Sequence, residues 1–407
     1  MTASTWTTGG QVRYEKYSLA GNTFLIVDET RTPLPDDATR SSFARWILDP
    51  YFGVGGADNV LYLSHAPGGG ALTFRIFEQD GSETLSCGNG LLSAGHYAAR
   101  FLPEVREPSG EARAWTFLTE IPSGRPRQVR VGEGFDKGCM WVNVGAPRAF
   151  PETLYRRDTD LSGRVPPTAS DGPAEQQNLL EAELAVDRPP QNFLLDGGPA
   201  RGEAWPDRFT GHLVFNGEPH LVLVGAHGSP ALGQDLFAPA PTQNSIDLME
   251  FLGARINLRH KETFPEGVHV NFVDLTGRTP RYRTWERAIN QETLACGTGA
   301  LACAHVLLAR RLVPDGPVTM RPHRANWHRP GTHLRVTPGP DGLVLDGRPA
   351  HICTGTVPSR QDLPPRQDLP PRQDLPPRQD LPPRQDLPPR QDLPPRQDLP
   401  PRQETPQ

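Results

Sequence analysis

Two cysteines occupy the same place in two copies of an eight-residue motif. The copies are Glu83–Gly90 (ETLSCGNG) and Glu292–Gly299 (ETLACGTG), with six of the eight positions identical. An apolar stretch typical of a helix follows each copy, so Cys87 and Cys296 are predicted to lie at two helix starts. Two thiols in matched surroundings can serve as base and acid on opposite faces of one carbon atom.

The start of a helix favours both a bound carboxylate and a thiolate. Its free N–H groups and a partial positive charge of about +0.5 attract anions. Glycines such as Gly88 and Gly297 let the backbone approach a ligand closely. We therefore expect an α-amino acid whose carboxylate lies on both helix starts and whose Cα lies between the sulfurs. One thiolate, with a lowered pKa, removes the α-proton and the opposite thiol returns one, with no cofactor and no metal.

A motif that recurs at this length indicates two related structural units that place the cysteines on one cleft. Runs of β-branched and aromatic residues bounded by Gly, Pro or Asn predict strands at Thr23–Asp28, Leu72–Phe77, Gln128–Val131, Met140–Val144, His212–Phe215, Leu221–Val224, Val268–Asp274 and Arg281–Trp285. Helices are predicted at Leu91–Arg100, Ser245–Arg255 and Ala300–Arg311.

Composition excludes several classes of protein. The 407 residues carry a net charge of −5, which argues against a nucleic-acid partner. No apolar run approaches the ~18 residues of a membrane span, and the polar first ten residues do not resemble a secretory signal. Five cysteines, an odd number, do not suggest a disulfide framework. We expect a cytoplasmic protein with a small-molecule partner and no membrane contact; a homodimer is left open.

Two segments fall outside this pattern. From Arg360 the hexapeptide RQDLPP repeats seven times, and two prolines in every six residues oppose helix and sheet. Residues 358–407 are therefore predicted to be a disordered tail, either a neutral repeat expansion or a docking arm for an unknown proline-binding partner. Residues 157–210 are polar and resemble an insertion. The expected domains are 13–147 and 148–340 as two halves, 341–357 as a terminal strand region, and the tail.

The two motifs resemble the signatures of the diaminopimelate epimerase family. Further segments agree in order along residues 13–356, among them Gly21–Asp28, Gly55–Asn59, Arg75–Phe77, Asp80–Glu83 and Tyr282–Arg287. The resemblance implies an α/β (α+β) fold of two pseudo-symmetric halves, each a barrel-like mixed sheet around a central helix. It also implies racemisation or epimerisation of an amino acid at Cα without pyridoxal phosphate.

The resemblance also implies roles for individual residues. Cys87 and Cys296 would be the acid–base pair. Asn22, with Glu286 and Asn59, would hold the amino group of the substrate. Backbone N–H groups around Gly88, Asn89, Gly297 and Thr298 would hold its carboxylate, and Arg287 would face its distal end.

Three departures concern that distal end. Glu78, Glu218 and His269 stand where the family usually has asparagine, although a shift in register would bring Asn271 into the last position; Thr23 replaces a usual Asp. Carboxylates repel a second carboxylate at close range. The hypothesis is a substrate with a cationic or hydrogen-bond-donating side chain. The alternative is that Glu78 and Glu218 face solvent or pair with Arg287, in which case diaminopimelate itself fits.

Other functions compete with this interpretation. Residues 297–302 match the GxGxxA pattern of dinucleotide-binding proteins, but no buried strand precedes them. His323, His328 and His333 have no common metal-ligand spacing. A dehydratase or isomerase of the same fold and a non-catalytic amino-acid-binding protein remain as further alternatives. Retention of both cysteines favours inversion over elimination.

Overall fold

A computed structural model describes residues 10–31, 33–107, 113–134, 136–156, 180–185, 208–225 and 236–358. None of the helices in these ranges is long and apolar enough to span a membrane. The predicted tail lies outside them, apart from its first residue, as do residues 157–179 and 186–207 of the predicted insertion.

The first repeat comprises the following elements in chain order: β1 Gln11–Leu19, β2 Asn22–Asp28, α1 Asp37–Ile47, β3 Asn59–His65, β4 Leu72–Phe77, β5 Glu83–Thr84, α2 Gly88–Phe101, β6 Ala114–Thr119, β7 Arg127–Glu133 and β8 Met140–Gly145, with 3₁₀ turns at Pro103–Val105 and Ile121–Ser123. A strand β9, Leu180–Ala185, follows.

The second repeat has the same order of elements: β10 Arg208–Phe215, β11 Pro219–Val224, α3 Gln243–Arg259, β12 His269–Asp274, β13 Arg281–Glu286, β14 Gln291–Glu292, α4 Gly297–Ala309, β15 Val318–Pro322, the additional short helix α5 His323–His328, β16 Leu334–Gly339 and β17 Gly342–Gly347. A final strand, β18 Ala350–Pro358, ends the described chain.

Strand pairing is identical in the two repeats. In the first, β1 and β2 are antiparallel, β2 and β3 parallel, β3 and β4 antiparallel, β4 and β6 parallel, and β6, β7 and β8 antiparallel. The second repeats this sequence from β10 through β11, β12, β13, β15 and β16 to β17. The motif duplication therefore extends to the whole sheet order.

Three further pairings complete the sheet, and two of them, β18 with β1 and β9 with β10, are antiparallel counterparts of each other in the two repeats. β8 pairs with β17 and thereby joins the repeats, β18 pairs with β1, and β9 pairs with β10. The segment 157–210 therefore contributes strand β9 and the first residues of β10 to the sheet, which its composition did not indicate.

Each repeat folds its sheet around one apolar helix. α2 contacts β1–β4 and β6–β8, while α4 contacts β10–β13 and β15–β17, and the two helices also contact each other. Every residue of α4 from Gly297 to Leu307 is buried, as expected for a helix surrounded by sheet. The mixed α/β fold of two similar halves around central helices is therefore confirmed.

The predicted elements are present, and Leu72–Phe77 has the predicted bounds. Sequence patterns missed β1, β3, β5, β6, β9 and β14–β16, and they missed the short helix α5 and helix α1. That helix is mostly polar and buries only Phe43, Ala44 and Ile47. Its start is set by Asp36, whose carboxylate accepts a hydrogen bond from the Thr39 N–H at 2.8 Å.

Candidate active site

A bidentate ion pair holds the start of each motif against the preceding strand. In the second repeat, Arg283 donates from Nε and Nη2 to the two carboxylate oxygens of Glu292, each at 2.6 Å. In the first, Arg75 makes the same pair of bonds to Glu83. Each glutamate is the first residue of its motif, four positions before the cysteine. The duplicated sequence thus carries a duplicated clamp.

The clamp of the second repeat is fully buried, and its loss is expected to be costly. Both side chains of Arg283 and Glu292 have 0 % exposure, whereas Arg75 and Glu83 are 13 % and 14 % exposed. Replacing Arg283 with Met would leave a buried carboxylate with one partial partner, Arg324 at 3.3 Å. We expect a loss of about 3–5 kcal/mol in the free energy of unfolding, measured in urea. Arg75→Met is the matched control, with a smaller loss; equal losses would contradict the role of burial.

Both cysteines cap their helices through sulfur. Cys87 Sγ accepts a hydrogen bond from Gly90 N, and Cys296 Sγ accepts one from Gly299 N, both at 3.3 Å. The Cys296 sulfur also lies 3.4 Å from the Thr298 hydroxyl. The predicted position of each thiol at a helix start is therefore observed.

The two helix starts touch. A Cβ added to Gly297 would lie 2.6 Å from Asn89 Oδ1 and 2.8 Å from Asn89 N, and one added to Gly88 would lie 3.2 Å from the Gly297 carbonyl carbon. Only glycine permits this approach. Asn89 spans the contact, because its Nδ2 donates to Asn22 Oδ1 at 3.0 Å and to the Ala295 carbonyl at 3.2 Å.

One small cavity of about 30 Å³ lies between the repeats and has both cysteines in its wall. Its walls are nearly pseudo-symmetric. The pairs that occupy equivalent positions in the two repeats are Asn22 and Glu218, Asn59 and His269, Glu78 and Glu286, Thr84 and Thr293, Ser86 and Ala295, and Cys87 and Cys296. The parallel ladders agree with the first two of these pairs. Asn59 pairs with Phe24, two residues after Asn22, and His269 pairs with His220, two residues after Glu218.

The thiols do not have the lowered pKa expected from their helices. Burial raises the pKa of Cys87 and of Cys296, and the nearby carboxyl of Glu286 raises both further. The backbone N–H groups at the helix starts do act in the expected direction, but more weakly. The expectation was wrong because helix position can be inferred from sequence, whereas the depth of burial cannot.

Two carboxyl groups of the cavity have raised pKa values. Glu78 is 5 % exposed and accepts a hydrogen bond from Asn59 Nδ2 at 2.7 Å. Burial raises its pKa well above the usual range, and the charges of Glu286 and Glu218 add to the effect. Burial also raises the pKa of Glu286, whose carboxyl accepts from the Thr293 hydroxyl at 2.5 Å and lies within hydrogen-bonding reach of the Cys296 thiol.

Glu218 behaves in the opposite way. Burial alone would raise its pKa, but Arg287 and His269 hold it well below the usual range. Arg287 donates to Glu218 Oε2 from Nη2 at 2.9 Å and from Nε at 3.2 Å. Glu218 therefore pairs with Arg287, as the alternative in the sequence analysis had it. Neither Glu218 nor Glu78 faces solvent.

Register settles the choice between His269 and Asn271. His269 lines the cavity. Asn271 is fully buried and accepts a hydrogen bond from the Thr284 hydroxyl at 2.8 Å, while its amide donates to the Leu221 carbonyl. A Cβ on Gly299 would lie 2.6 Å from Asn271 Oδ1, so this asparagine supports the start of α4 from behind.

Of the thirteen residues expected at the site, Gly88, Asn89 and Arg287 do not line the cavity and the other ten do. The guanidinium of Arg287 is held by Glu218 and by the Glu266 carbonyl. Sequence reasoning missed other wall residues, namely Asp58, Ile76, Thr84, Ser86, Ala288, Ile289, Thr293 and Ala295. The signal for Asp58, Thr84 and Ser86 was their place inside motifs already recognised.

The histidines considered as metal ligands do not converge. His323 Nε2 lies 2.8 Å from the Ala238 carbonyl, and His333 Nδ1 lies 2.9 Å from the Gly331 carbonyl. Across the described ranges, no three His, Cys, Asp or Glu side chains are grouped so that they could hold a metal ion.

Known proteins are similar to this chain in sequence and in fold. Residues 15–107 match the sequence model of the diaminopimelate epimerase family. A diaminopimelate epimerase of Geobacillus thermodenitrificans is 30 % identical over 339 residues, which cover 82 % of this chain and 92 % of that protein. One from Methanocella arvoryzae is 28 % identical over 298 residues, covering 73 % and 81 %.

A solved structure agrees on the fold. A hydroxyproline epimerase from Agrobacterium vitis, with bound trans-4-hydroxy-L-proline, superposes with a TM-score of 0.51 at 16 % identity, covering 86 % of this chain and 92 % of that one. With two matched cysteines at touching helix starts and this extent of shared sequence, the chain belongs to the diaminopimelate epimerase family, an isomerase of the amino-acid epimerase class.

Proposed function

We propose that the chain racemises or epimerises a free amino acid at Cα, with the thiols of Cys87 and Cys296 as the acid–base pair and no cofactor. The observation that carries this proposal is the arrangement of both thiols in the wall of one cavity, each at its own helix start. The N–H groups of Gly297 and Thr298, which line the cavity, are the proposed donors for the substrate carboxylate, together with those of Gly88 and Asn89 in the adjoining start of α2. They would also stabilise the charge that develops as the α-proton leaves.

The raised pKa of the thiols gives the substrate ammonium group a part in this scheme. Burial raises the pKa of both thiols, and the Glu286 carboxylate further opposes their ionisation. A cation bound beside Glu286 and Asn22 would offset that charge and favour one thiolate. In the proposed step this thiolate takes the α-proton, and the thiol across the cavity donates its proton to the opposite face of Cα.

An exchange assay in D₂O tests the proposal. The enzyme is incubated with single enantiomers of lysine, arginine, histidine and diaminopimelate, and each product is analysed for deuterium and configuration. Deuterium at Cα with inversion supports racemisation. In a parallel incubation with a hydroxylated amino acid, loss of water would favour a dehydratase. Absence of exchange with every amino acid tested would overturn the proposal.

The substrate proposed is an amino acid with a cationic or hydrogen-bond-donating side chain. Besides Glu218, which pairs with Arg287, three carboxyl groups line the cavity, Asp58, Glu78 and Glu286, whereas the described residues of its wall include no lysine or arginine. Glu78 has Asn59 as its hydrogen-bond partner and keeps acceptor capacity. A cation there would offset the burial and the neighbouring negative charges that raise the pKa of Glu78. Diaminopimelate is the second candidate, supported by the names of the relatives at 28–30 % identity.

Glu78→Gln is expected to increase stability at neutral pH. Because folding raises the pKa of Glu78, the charged form costs stability above its folded pKa, and the cost vanishes below the unfolded value of 4.5. Thermal unfolding midpoints of variant and wild type should therefore differ most near pH 7 and converge below pH 4.5. The same variant is expected to lower kcat/KM for cationic substrates by about tenfold.

Glu107→Gln is the matched control for that change. Glu107 pairs with Arg130 at the surface, and this hydrogen bond lowers its pKa, so the variant should lose a little stability near pH 7. A stabilising effect of both substitutions, or of neither, would contradict the assignment of Glu78 as a buried carboxyl with a raised pKa.

A further inference from the structure

The carboxylate of Glu218 is surrounded by hydrogen-bond donors from both repeats. Its Oε1 accepts from the Thr84 hydroxyl at 2.8 Å, from Leu85 N at 2.9 Å and from Ser86 N at 3.1 Å. Its Oε2 accepts from Nη2 and Nε of Arg287 and faces His269 Nε2 at 3.5 Å. A carboxylate with three donors on each oxygen fills a site shaped for a planar anion.

Most of these donors have anchors other than Glu218. Two of them are backbone N–H groups of the segment that leads into α2, clamped at Glu83 by Arg75. Arg287 is anchored through Nη1 to the Glu266 carbonyl at 2.8 Å. Because His269 Nδ1 accepts from Arg287 N at 3.4 Å, its ring hydrogen lies on Nε2 and points to Glu218. The anion site would therefore persist if the Glu218 side chain were removed.

The site opens onto the cavity that contains the cysteines. Glu218 is 2 % exposed, lines that cavity, and occupies the position equivalent to Asn22 in the first repeat. The Asn22 side chain is proposed to bind the substrate. Its pseudo-symmetric counterpart is thus a carboxylate whose two oxygens already accept their full set of hydrogen bonds. It is therefore not free to bind a substrate cation, and its arginine is not free to bind a substrate anion.

We infer that Glu218 is a specificity-determining residue, a built-in carboxylate that fills an anion-binding site in the cavity wall and thereby excludes amino acids with an anionic side chain. This inference rests on the proposed function for its meaning in catalysis, but the anion site itself does not depend on turnover. Removing the side chain should convert the wall from one that repels a distal carboxylate into one that binds it.

The first test measures anion binding without activity. Glu218→Ala is melted in sodium formate and in sodium chloride of equal ionic strength. Formate, a carboxylate small enough to replace the lost group, should raise the unfolding midpoint of the variant by about 2–4 °C over chloride. Wild type and Glu78→Ala, which removes the other distal carboxyl, should show no such difference. Equal responses of Glu218→Ala and wild type would overturn the inference.

A double variant assigns the effect to these donors. In Glu218→Ala/Arg287→Met the cation of the site is gone, so the formate dependence should be lost. If it persists, the anion binds elsewhere and the inference fails. Should Glu218→Ala prove insoluble, Glu218→Gln preserves the side-chain volume but places an amide nitrogen, itself a donor, against the donors of the site. This variant is expected to lower the unfolding midpoint and, like wild type, to show no dependence on formate.

The second test measures specificity. The ratio of kcat/KM for glutamate, 2-aminoadipate and diaminopimelate to that for lysine should rise at least about tenfold in Glu218→Ala. A formate response with an unchanged ratio would overturn the role in specificity. A formate response in a protein that exchanges no amino acid in D₂O would leave the anion site standing and instead refute the proposed function.

Discussion

Replacement of Cys296 by alanine is expected to abolish stereo-inversion, with a loss of about 10²–10⁴-fold in turnover, the range supplied by a positioned acid or base. Cys87→Ala should have an effect of the same size, because the two thiols have equivalent positions in the two repeats. The measurement is the rate of change of configuration, together with incorporation of deuterium at Cα.

The pattern of residual exchange distinguishes two opposed thiols from one. Each single variant retains a thiol on one face, so slow exchange without inversion should persist for one enantiomer only, and for opposite enantiomers in the two variants. Cys303→Ala is the matched control, since Cys303 lies in α4, the helix that Cys296 caps, but is packed in the core. Inversion at an ordinary rate in either cavity variant would refute the two-thiol mechanism.

Gly297→Ala is expected to lower kcat/KM by about 10²-fold, because misplacement of reacting groups by roughly 1 Å has effects of this size. The added methyl group would lie 2.8 Å from the backbone nitrogen of Asn89, which is too close for a real contact. The start of α4 must therefore move away from α2, and Cys296 with it. Both the carboxylate site and the separation of the sulfurs would change.

A glycine on the surface serves as the control for this change. A Cβ on Gly277, in the turn between β12 and β13, would lie 3.9 Å from the nearest atom, the Thr279 carbonyl oxygen. Gly277→Ala should leave kinetics and the unfolding midpoint within error of wild type. Ordinary activity in Gly297→Ala would mean that contact of the helix starts is not needed for the reaction.

Local patterns carried the prediction of the fold. The duplicated motif indicated two halves before any strand was placed, and the equivalent sheet order of the repeats agrees with it. Strand β1 escaped notice because the charged Glu15 takes a buried position in line with Tyr17 and Leu19, which breaks the apolar pattern of that face. Its burial follows only once β18 and β2 are paired with β1. The division of the chain into domains at the expected boundaries stays a prediction.

The chemistry of the site depended on contacts that sequence patterns do not encode. The cysteines could be identified because each lies in one copy of the duplicated motif, directly before a predicted helix. The partnership of Glu218 with Arg287 spans 69 positions, and the bonds from Leu85 and Ser86 span more than 130. Both the raised pKa of the thiols and the saturation of Glu218 follow from such distant packing. Glu78, Glu218 and His269 do lie in the cavity wall, and the pairing of Glu218 with Arg287 was one of the two alternatives that the sequence left open.

The hydrogen bonds of Glu218 have a kinetic consequence as well. This residue belongs to the second repeat, yet it accepts hydrogen bonds from the backbone of the first at Leu85 and Ser86. The cavity beside it has space for only about two water molecules. A ligand as large as an amino acid cannot bind in that volume unless the two repeats move apart. We therefore expect product release, which requires the hydrogen bonds of Glu218 to Leu85 and Ser86 to break, to limit kcat more than proton transfer does.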